Sequence, residues 1–299
     1  MDLSFQLATN ITYNHVIEKI ESLTFPPIRK KMQIMPLHEP YTGVWALKDK
    51  QIIGLILADK SPAGISEIFS FFVVPDERNK RIGSQLLILI ENSLRNQGIQ
   101  QVQTRYRSDW GSLAVIERML KTNGWENPLL IRVIAEIDIR HFIDTPWPKV
   151  KLPSDYTLFN WNELTKADRS AIDLMIKNKE VPPEFNPYQN PDKIFLPVSF
   201  GLRNKGVIIG WNIVYSLSDE TKEYNNLFIR KEFRKLGHAI TLIHRSTGEQ
   251  YKLNIPKATW LINADNEPTL KIVKHITADH LNRYVEVKFS RKRLTGVSH

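Results

Sequence analysis

The stretch RNKRIGSQLL, residues 78–87, sets three positive charges and one glycine between two apolar runs. Ahead of it stands EIFSFFVV, residues 67–74, cut off by Pro75, Asp76 and Glu77. The order is strand, short basic turn, small residue, helix start. That order suits a phosphate group. A helix N-terminus offers unpaired N–H groups and a positive dipole end worth roughly half an elementary charge. Gly83 lets the backbone approach an anion closely, and Arg78, Lys80 and Arg81 supply charge-assisted bonds.

The pattern occurs twice. QIIGLILAD, residues 51–59, has a counterpart in VIIGWNIVY, residues 207–215, an offset of 156 (51 to 207) with Gly54 and Gly210 in register. At the same offset Glu67 meets Glu223, Arg78 meets Arg234, Gly83 meets Ala239 and Leu86 meets Leu242, with no gap. A strand, an acidic residue, a turn and a helix start sharing one offset identify an internal repeat. The second turn carries Arg234, Lys235, Leu236, Gly237, His238 and Ala239.

These turns need elements to hold them. The first half reads as a strand near LSFQLA and a helix near NHVIEKIESL, then strands at TGVWALKD, QIIGLILAD and SEIFSFFVV. A long helix covers RIGSQLLILIENSLRNQG, with Gly98 at its end. The strand IQQVQTRYRS, the helix SLAVIERMLKTNG and the strand LLIRVIAEIDI complete it. The second half repeats the series from DYTLFNWN to YVEVKFS. Three prolines within residues 143–155 read as a linker. The expectation is a mixed α/β (α+β) chain of two tandem domains, 1–146 and 147–299, each a mixed central sheet flanked by helices.

Composition narrows the chemistry. The 299 residues suit two domains, and 42% are hydrophobic, enough for ordinary cores. There is no cysteine, which excludes disulfides, thiolate metal sites and a cysteine nucleophile. No metal is expected. The first ten residues lack the pattern of a signal peptide, and no apolar stretch nears the roughly 20 residues of a membrane span. The expectation is a soluble, cytoplasmic protein. The net charge of +9 suits an anionic ligand, an acidic partner or nucleic acid, and equally a basic surface that serves only solubility. The basic SRKRL, residues 290–294, reads as a strand end or solvated tail.

VPDERNKRIGSQLL and IRKEFRKLGHAITL resemble the acyl-CoA-binding motif of the GNAT acyltransferase superfamily: a strand, then Arg or Gln, two residues, Gly, one residue, Gly or Ala, opening a helix. The second copy fits in full with Arg234, Gly237 and Ala239; in the first, Arg81 stands where the family has glycine. The chain therefore resembles a tandem GNAT protein. The resemblance implies that acyl-CoA, acetyl or longer, is the donor. Its pyrophosphate would lie on the turn and helix start, at Ile82, Gly83 and Ser84 or at Leu236, Gly237, His238 and Ala239. It implies a bulged strand that parts from its neighbour, so that the cofactor arm pairs with Phe72, Val73 and Val74, or with Phe228, Ile229 and Arg230. One of those N–H groups would serve as oxyanion donor.

The resemblance also implies a general base. Glu67 and Glu223 stand eleven residues before Arg78 and Arg234, like the glutamate of histone-acetylating members. A capping or lysine-paired glutamate, with Lys222 beside Glu223, is the plain alternative. The family's tyrosine general acid is missing: Leu120 holds that position in the first half and Val273 in the second, with His275 nearby. The family's asparagine on the cofactor arm is met by Asn266, where a helix N-cap explains it as well, while the first half has Leu113. The second half keeps more of the pattern and is expected to do the chemistry. An aminoacyl-tRNA-dependent transferase and a non-enzymatic CoA-binding or scaffold protein remain alternatives. The acceptor is expected to be an amine, on a small molecule or a lysine- or ornithine-type side chain, with no role for nucleic acid. The loops PPIRKKMQIMPLHEPY and KEVPPEFNPYQNPDKIF are expected to face it.

Overall fold

The computed structural model describes residues 2–11, 41–59, 64–140, 152–234, 237–277 and 281–294. The expected first helix, the first acceptor loop apart from Tyr41, most of the proline linker, and Lys235 and Leu236 lie outside the described residues, as does the side chain of His275. By contacts the chain divides into two units. One is Met1–Ile131 with Val287–His299, and the other is Arg132–Glu286.

The first unit opens with four antiparallel strands, β1 (Leu3–Ile11), β2 (Tyr41–Lys48), β3 (Gln51–Ala58) and β4 (Ile65–Val73). The helix α1 (Ile82–Asn96) follows, then β5 (Gln101–Arg107) and α2 (Leu113–Thr122). In α1, Ile82, Leu86, Leu87, Ile90 and Leu94 recur on one face at the spacing of a helix and are buried. They pack on Val44, Ala46, Ile56 and Ala58 of β2 and β3. Helix α1 ends through Gly98, whose φ of 81° is left-handed.

The second unit repeats the plan. It holds β7 (Tyr156–Asn160), α3 (Lys166–Lys177), β8 (Phe200–Asn204), β9 (Val207–Ser216), β10 (Thr221–Ile229), α4 (His238–Lys252), β11 (Lys257–Asn263) and α5 (Glu267–Thr277). A capping box between Thr165 and Asp168 starts α3. Arg203 pairs with the same buried Asp168 and lies over the Phe159 ring at 3.5 Å.

The units differ from the sequence halves in their closing strands. The strand β6 (Leu129–Asp138), which follows the first half's last helix, pairs through Arg132–Asp138 with β11 of the second unit. The strand β12 (Leu281–Arg293), at the chain's end, pairs through Val287–Arg293 with β5 of the first. Residues Leu281–Glu286 of β12 belong to the second unit. Within unit 1 the strands thus lie in the order β1-β2-β3-β4-β5-β12, and within unit 2 in the order β6-β11-β10-β9-β8-β7. Alternation of side chains foretells a strand; it does not say which sheet receives it. The basic residues 291–293 lie within β12, so a strand end is the reading of SRKRL that holds.

Candidate functional site

In both units the decisive strand carries a bulge at the same repeat position. Leu57 pairs with Ser70 and Ala58 with Ile68, so Phe69 is the extra residue in β4. Ile213 pairs with Asn226 and Val214 with Tyr224, so Asn225 is the extra residue in β10. A bulge bends its strand, and here the bend ends a parallel pairing. β4 stays with β5 only over Ile65–Ile68, and β10 with β11 only over Thr221–Glu223. Past these points each strand keeps its other neighbour and loses this one.

The close approach on the kept side depends on glycine. Gly54 pairs with Val73 and Gly210 with Ile229. A Cβ on Gly210 would stand 2.5 Å from the Phe228 carbonyl oxygen, and one on Gly54 would stand 3.0 Å from Leu86.

Which N–H groups face the opened edge follows from the ladder. Val74 N–H donates to Ile53 O (2.9 Å) and Arg230 N–H to Ile209 O (2.8 Å), so both point to the kept neighbour. Orientation alternates along a strand, so Phe72 and Phe228 also face that way. The opened edge is served by Phe71 and Val73 in unit 1, and by Leu227 and Ile229 in unit 2. Of the residues expected to pair with a cofactor arm, Val73 and Ile229 keep an available N–H; Phe72, Val74, Phe228 and Arg230 do not. Phe71 and Leu227 were not among the expected residues, because the resemblance implies a bulge but not the residue at which it falls, and that residue sets the phase of the ladder.

The turns match closely. After β4, the 3-10 turn Pro75–Glu77 leads through Arg78 to α1; after β10, the 3-10 turn Lys231–Phe233 leads through Arg234 to α4. Each first arginine clamps the end of its strand: Arg78 Nε donates to Val73 O and Arg234 Nε to Ile229 O, both at 2.9 Å. Arg78 also lies over the Phe72 ring at 5.6 Å. Lys80 pairs with Glu77, which Lys48 holds as well. Both helices enter from a left-handed residue, Arg81 at φ 64° and Gly237 at φ 74°, and no side chain caps either N-terminus. The first N–H groups, of Ile82, Gly83 and Ser84 and of His238, Ala239 and Ile240, are thus left for an outside acceptor. A Cβ on Gly83 would meet Met119 Sδ at 3.5 Å and the Phe71 ring at 3.6 Å, ordinary contacts, in keeping with Ala239 at the matching place.

The two glutamates stand where each strand pair parts, and their surroundings differ. Glu67 is ion-paired with Arg105, and Gln103 reaches the same oxygen at 3.5 Å. Glu223 is 9% exposed, and the bulged Asn225 donates to its Oε1 at 2.5 Å. Among the described residues no cation pairs with it. Lys222 is turned to the other face, donating to Ser216 Oγ and Ser218 O. Burial draws its ammonium below the usual lysine range. Opposite Glu223 on β9 stands Tyr215. Burial pushes its hydroxyl up, the Asn190 side chain bonds it, and Glu223 raises it further.

The remaining candidates are ordinary. Asn266 Oδ1 accepts from Thr269 N–H at 3.3 Å, the N-cap of α5. Leu120 and Val273 are buried, and neither side chain has an ionisable proton to give. The His238 imidazole is 2% exposed, packs 4.5 Å from the Tyr156 ring and finds no partner for either nitrogen, so only its backbone can serve a ligand. The second expected acceptor loop folds as 3-10 turns at Pro183–Phe185 and Pro191–Lys193, and Ile194 bridges to Tyr215. No described cluster of side chains suits a metal, and no described helix is long and apolar enough to cross a membrane.

Residues 15–119 match the Acetyltransferase (GNAT) family. No curated protein matches the sequence. Among solved structures, the fold resembles a tandem GNAT protein from the clavulanic acid biosynthesis pathway, with 13% identity, TM-score 0.60, and 99% of this chain and 100% of that one covered. It also resembles a GCN5-related N-acetyltransferase from Sphaerobacter thermophilus, with 14% identity, TM-score 0.59, and coverage of 99% and 98%. A GCN5-related glucosamine N-acetyltransferase region of a fungal multi-domain GH3 β-N-acetylglucosaminidase shares 11% identity at TM-score 0.58, with 98% of this chain and 38% of that one covered. At these identities the likeness is one of fold.

Proposed function

We propose, from the match of residues 15–119 to the Acetyltransferase (GNAT) family and the likeness of fold, that the chain is a GNAT acyltransferase that moves an acyl group from coenzyme A to a primary amine by direct transfer, in the second unit. The observation that carries this reading is the coincidence in unit 2 of three things. They are a strand edge opened by the Asn225 bulge, an uncapped helix start behind Gly237, and a buried carboxylate that no cation among the described residues pairs with.

The chemistry follows from these parts. The acceptor ammonium, with a pKa of about 10, gives one proton to Glu223 and becomes a nucleophile. Its nitrogen attacks the thioester carbon, and the oxyanion is met by a backbone N–H of the opened edge, Leu227 or Ile229. The C–S bond breaks as the C–N bond stays. The second nitrogen proton passes to the leaving thiolate, whose thiol has a pKa of about 8.5, with water as carrier because Val273 offers no acid. The products are an amide and free coenzyme A, with one proton released from Glu223 to solvent. The first unit, where Arg105 already pairs with Glu67 so that Glu67 takes no part in the reaction, serves as a structural or coenzyme-binding partner.

Calorimetry with acetyl-, octanoyl- and palmitoyl-CoA tests the donor, and thiol release with a panel of primary amines tests the reaction. Micromolar binding of at least one thioester is expected. No binding of any of them overturns the reading.

A further inference from the structure

The two glutamates occupy one repeat position, yet among the described residues only Glu67 has a cation. The residue responsible can be read across the units. Glu67 pairs in the ladder with Gln103, and two residues further along β5 stands Arg105, on the same face. Glu223 pairs with Thr259, and two residues further along β11 stands Leu261. Arg105 and Leu261 are themselves 156 residues apart (105 to 261), so they are the same position of the repeat. Both are exposed beside the point where the strands part. Their outer neighbours follow suit: Arg105 lies opposite Phe289 of β12, with its guanidinium 6.0 Å from that ring, and Leu261 lies opposite Ile134 of β6.

We propose that the guanidinium of Arg105 occupies in the first unit the place that the acceptor's ammonium takes at Glu223 in the second, so that Leu261 is the residue that leaves the second unit open to a primary amine. The inference rests on the functional reading above and adds the acceptor's docking position. A guanidinium and a primary ammonium both satisfy a carboxylate by charge-assisted bonds. In unit 1 the chain supplies that cation itself. In unit 2 Leu261 cannot, and Asn225 holds one carboxylate oxygen by a neutral amide, which orients the group without neutralising it. The surroundings then describe the acceptor. Its cationic end meets Glu223, and its arm runs past the exposed Leu261. A primary amine on an unbranched apolar arm fits this lining; an amine flanked by a second positive charge does not.

The test is a steady-state comparison of the wild type, Leu261→Arg and Arg105→Leu, with one acyl-CoA and an unbranched alkylamine. Acyl-CoA affinity is measured in parallel by calorimetry. Leu261→Arg is expected to raise the KM for the amine at least tenfold, with acyl-CoA affinity within twofold of wild type. Arg105→Leu is expected to leave both within twofold. An unchanged KM in Leu261→Arg overturns the inference, and so does a tenfold loss in Arg105→Leu, which would place the acceptor in unit 1. Both results need a wild type that binds acyl-CoA and turns over. A wild type that does neither is instead the failure of the functional reading. Leu261 is exposed, so the arginine is tolerated by the fold, and an unchanged melting temperature checks that.

Discussion

Arg81 and Gly237 hold the same backbone position in the two units, both left-handed, at φ 64° and 74°, immediately before the helix that faces the opened strand edge. A residue with a Cβ resists this conformation by about 1–2 kcal/mol, and glycine does not. Unit 1 therefore keeps the geometry at a cost that unit 2 avoids. Arg81→Gly should stabilise the protein by about 1 kcal/mol, and Gly237→Ala should destabilise it by a similar amount. Urea unfolding at neutral pH measures both. Equal midpoints for Arg81→Gly and wild type would show that the strain is relieved elsewhere.

The two turns should differ in what they do for turnover. Gly237→Glu puts a negative side chain at the helix start, where the phosphate oxygens are expected. Losing two or three charge-assisted bonds, at about 1.5–3 kcal/mol each, weakens acyl-CoA binding by orders of magnitude. Turnover should vanish while the fold persists. Gly83→Glu should leave at least partial turnover, and Glu223→Gln should lower kcat with little change in acyl-CoA affinity. If Gly83 and Glu67 prove essential while Gly237 and Glu223 do not, the active site moves to unit 1.

His238 gives unit 2 a built-in acid sensitivity. Burial, with neither nitrogen partnered, draws its imidazole below the usual 6.5. The unfolded chain then binds this proton more readily than the folded one. Stability is full above about pH 6.5 and falls as the pH drops through the folded value, by at most about 1.4 kcal/mol per pH unit. The first unit has Ile82 at this position. His238→Ile should flatten the stability profile between about pH 5 and 6.5, where carboxylates do not yet titrate. Unfolding midpoints for both proteins across that range decide it, and parallel profiles would rule the histidine out.

Asp168 works in the opposite range. Its burial raises the carboxyl, but the bonds from Arg203 and Thr165 outweigh this and bring it down to about 2. The folded value lies below the unfolded one, so the stabilisation is complete above about pH 4 and is lost as the pH falls through 2. The shift corresponds to about 2 kcal/mol. Arg203→Met removes the cation from a buried carboxylate and should cost about 3–5 kcal/mol at neutral pH. Double replacement with Asp168→Asn should recover part of that loss. Thermal unfolding of the single and double variants checks the coupling.

Much of the site was legible because the repeat was legible. Glycines, arginines and glutamates recurring at one offset marked the strand, turn and helix in both halves, since each of those elements has its own short-range signature in hydrophobic period and small residues. The long apolar stripe of α1 and the left-handed exit at Gly98 are local facts of the same kind. Four things were decided only by the tertiary structure. The placing of the expected bulges at Phe69 and Asn225 sets which backbone N–H groups face the opened edge, and a bulge's position depends on the partner strand. The exchange of β6 and β12 depends on which sheet has an unpaired edge, and alternation carries no partner label. The clamping of strand ends by Arg78 and Arg234, each through Nε, adds a structural bond to residues expected at the phosphate, and no spacing in the sequence foretells it. The contrast between Arg105 and Leu261 lay in the sequence throughout, at the same offset. It acquired meaning only when pairing of β4 with β5, and of β10 with β11, brought each beside its glutamate, because a carboxylate's chemistry is set by the charge next to it in space.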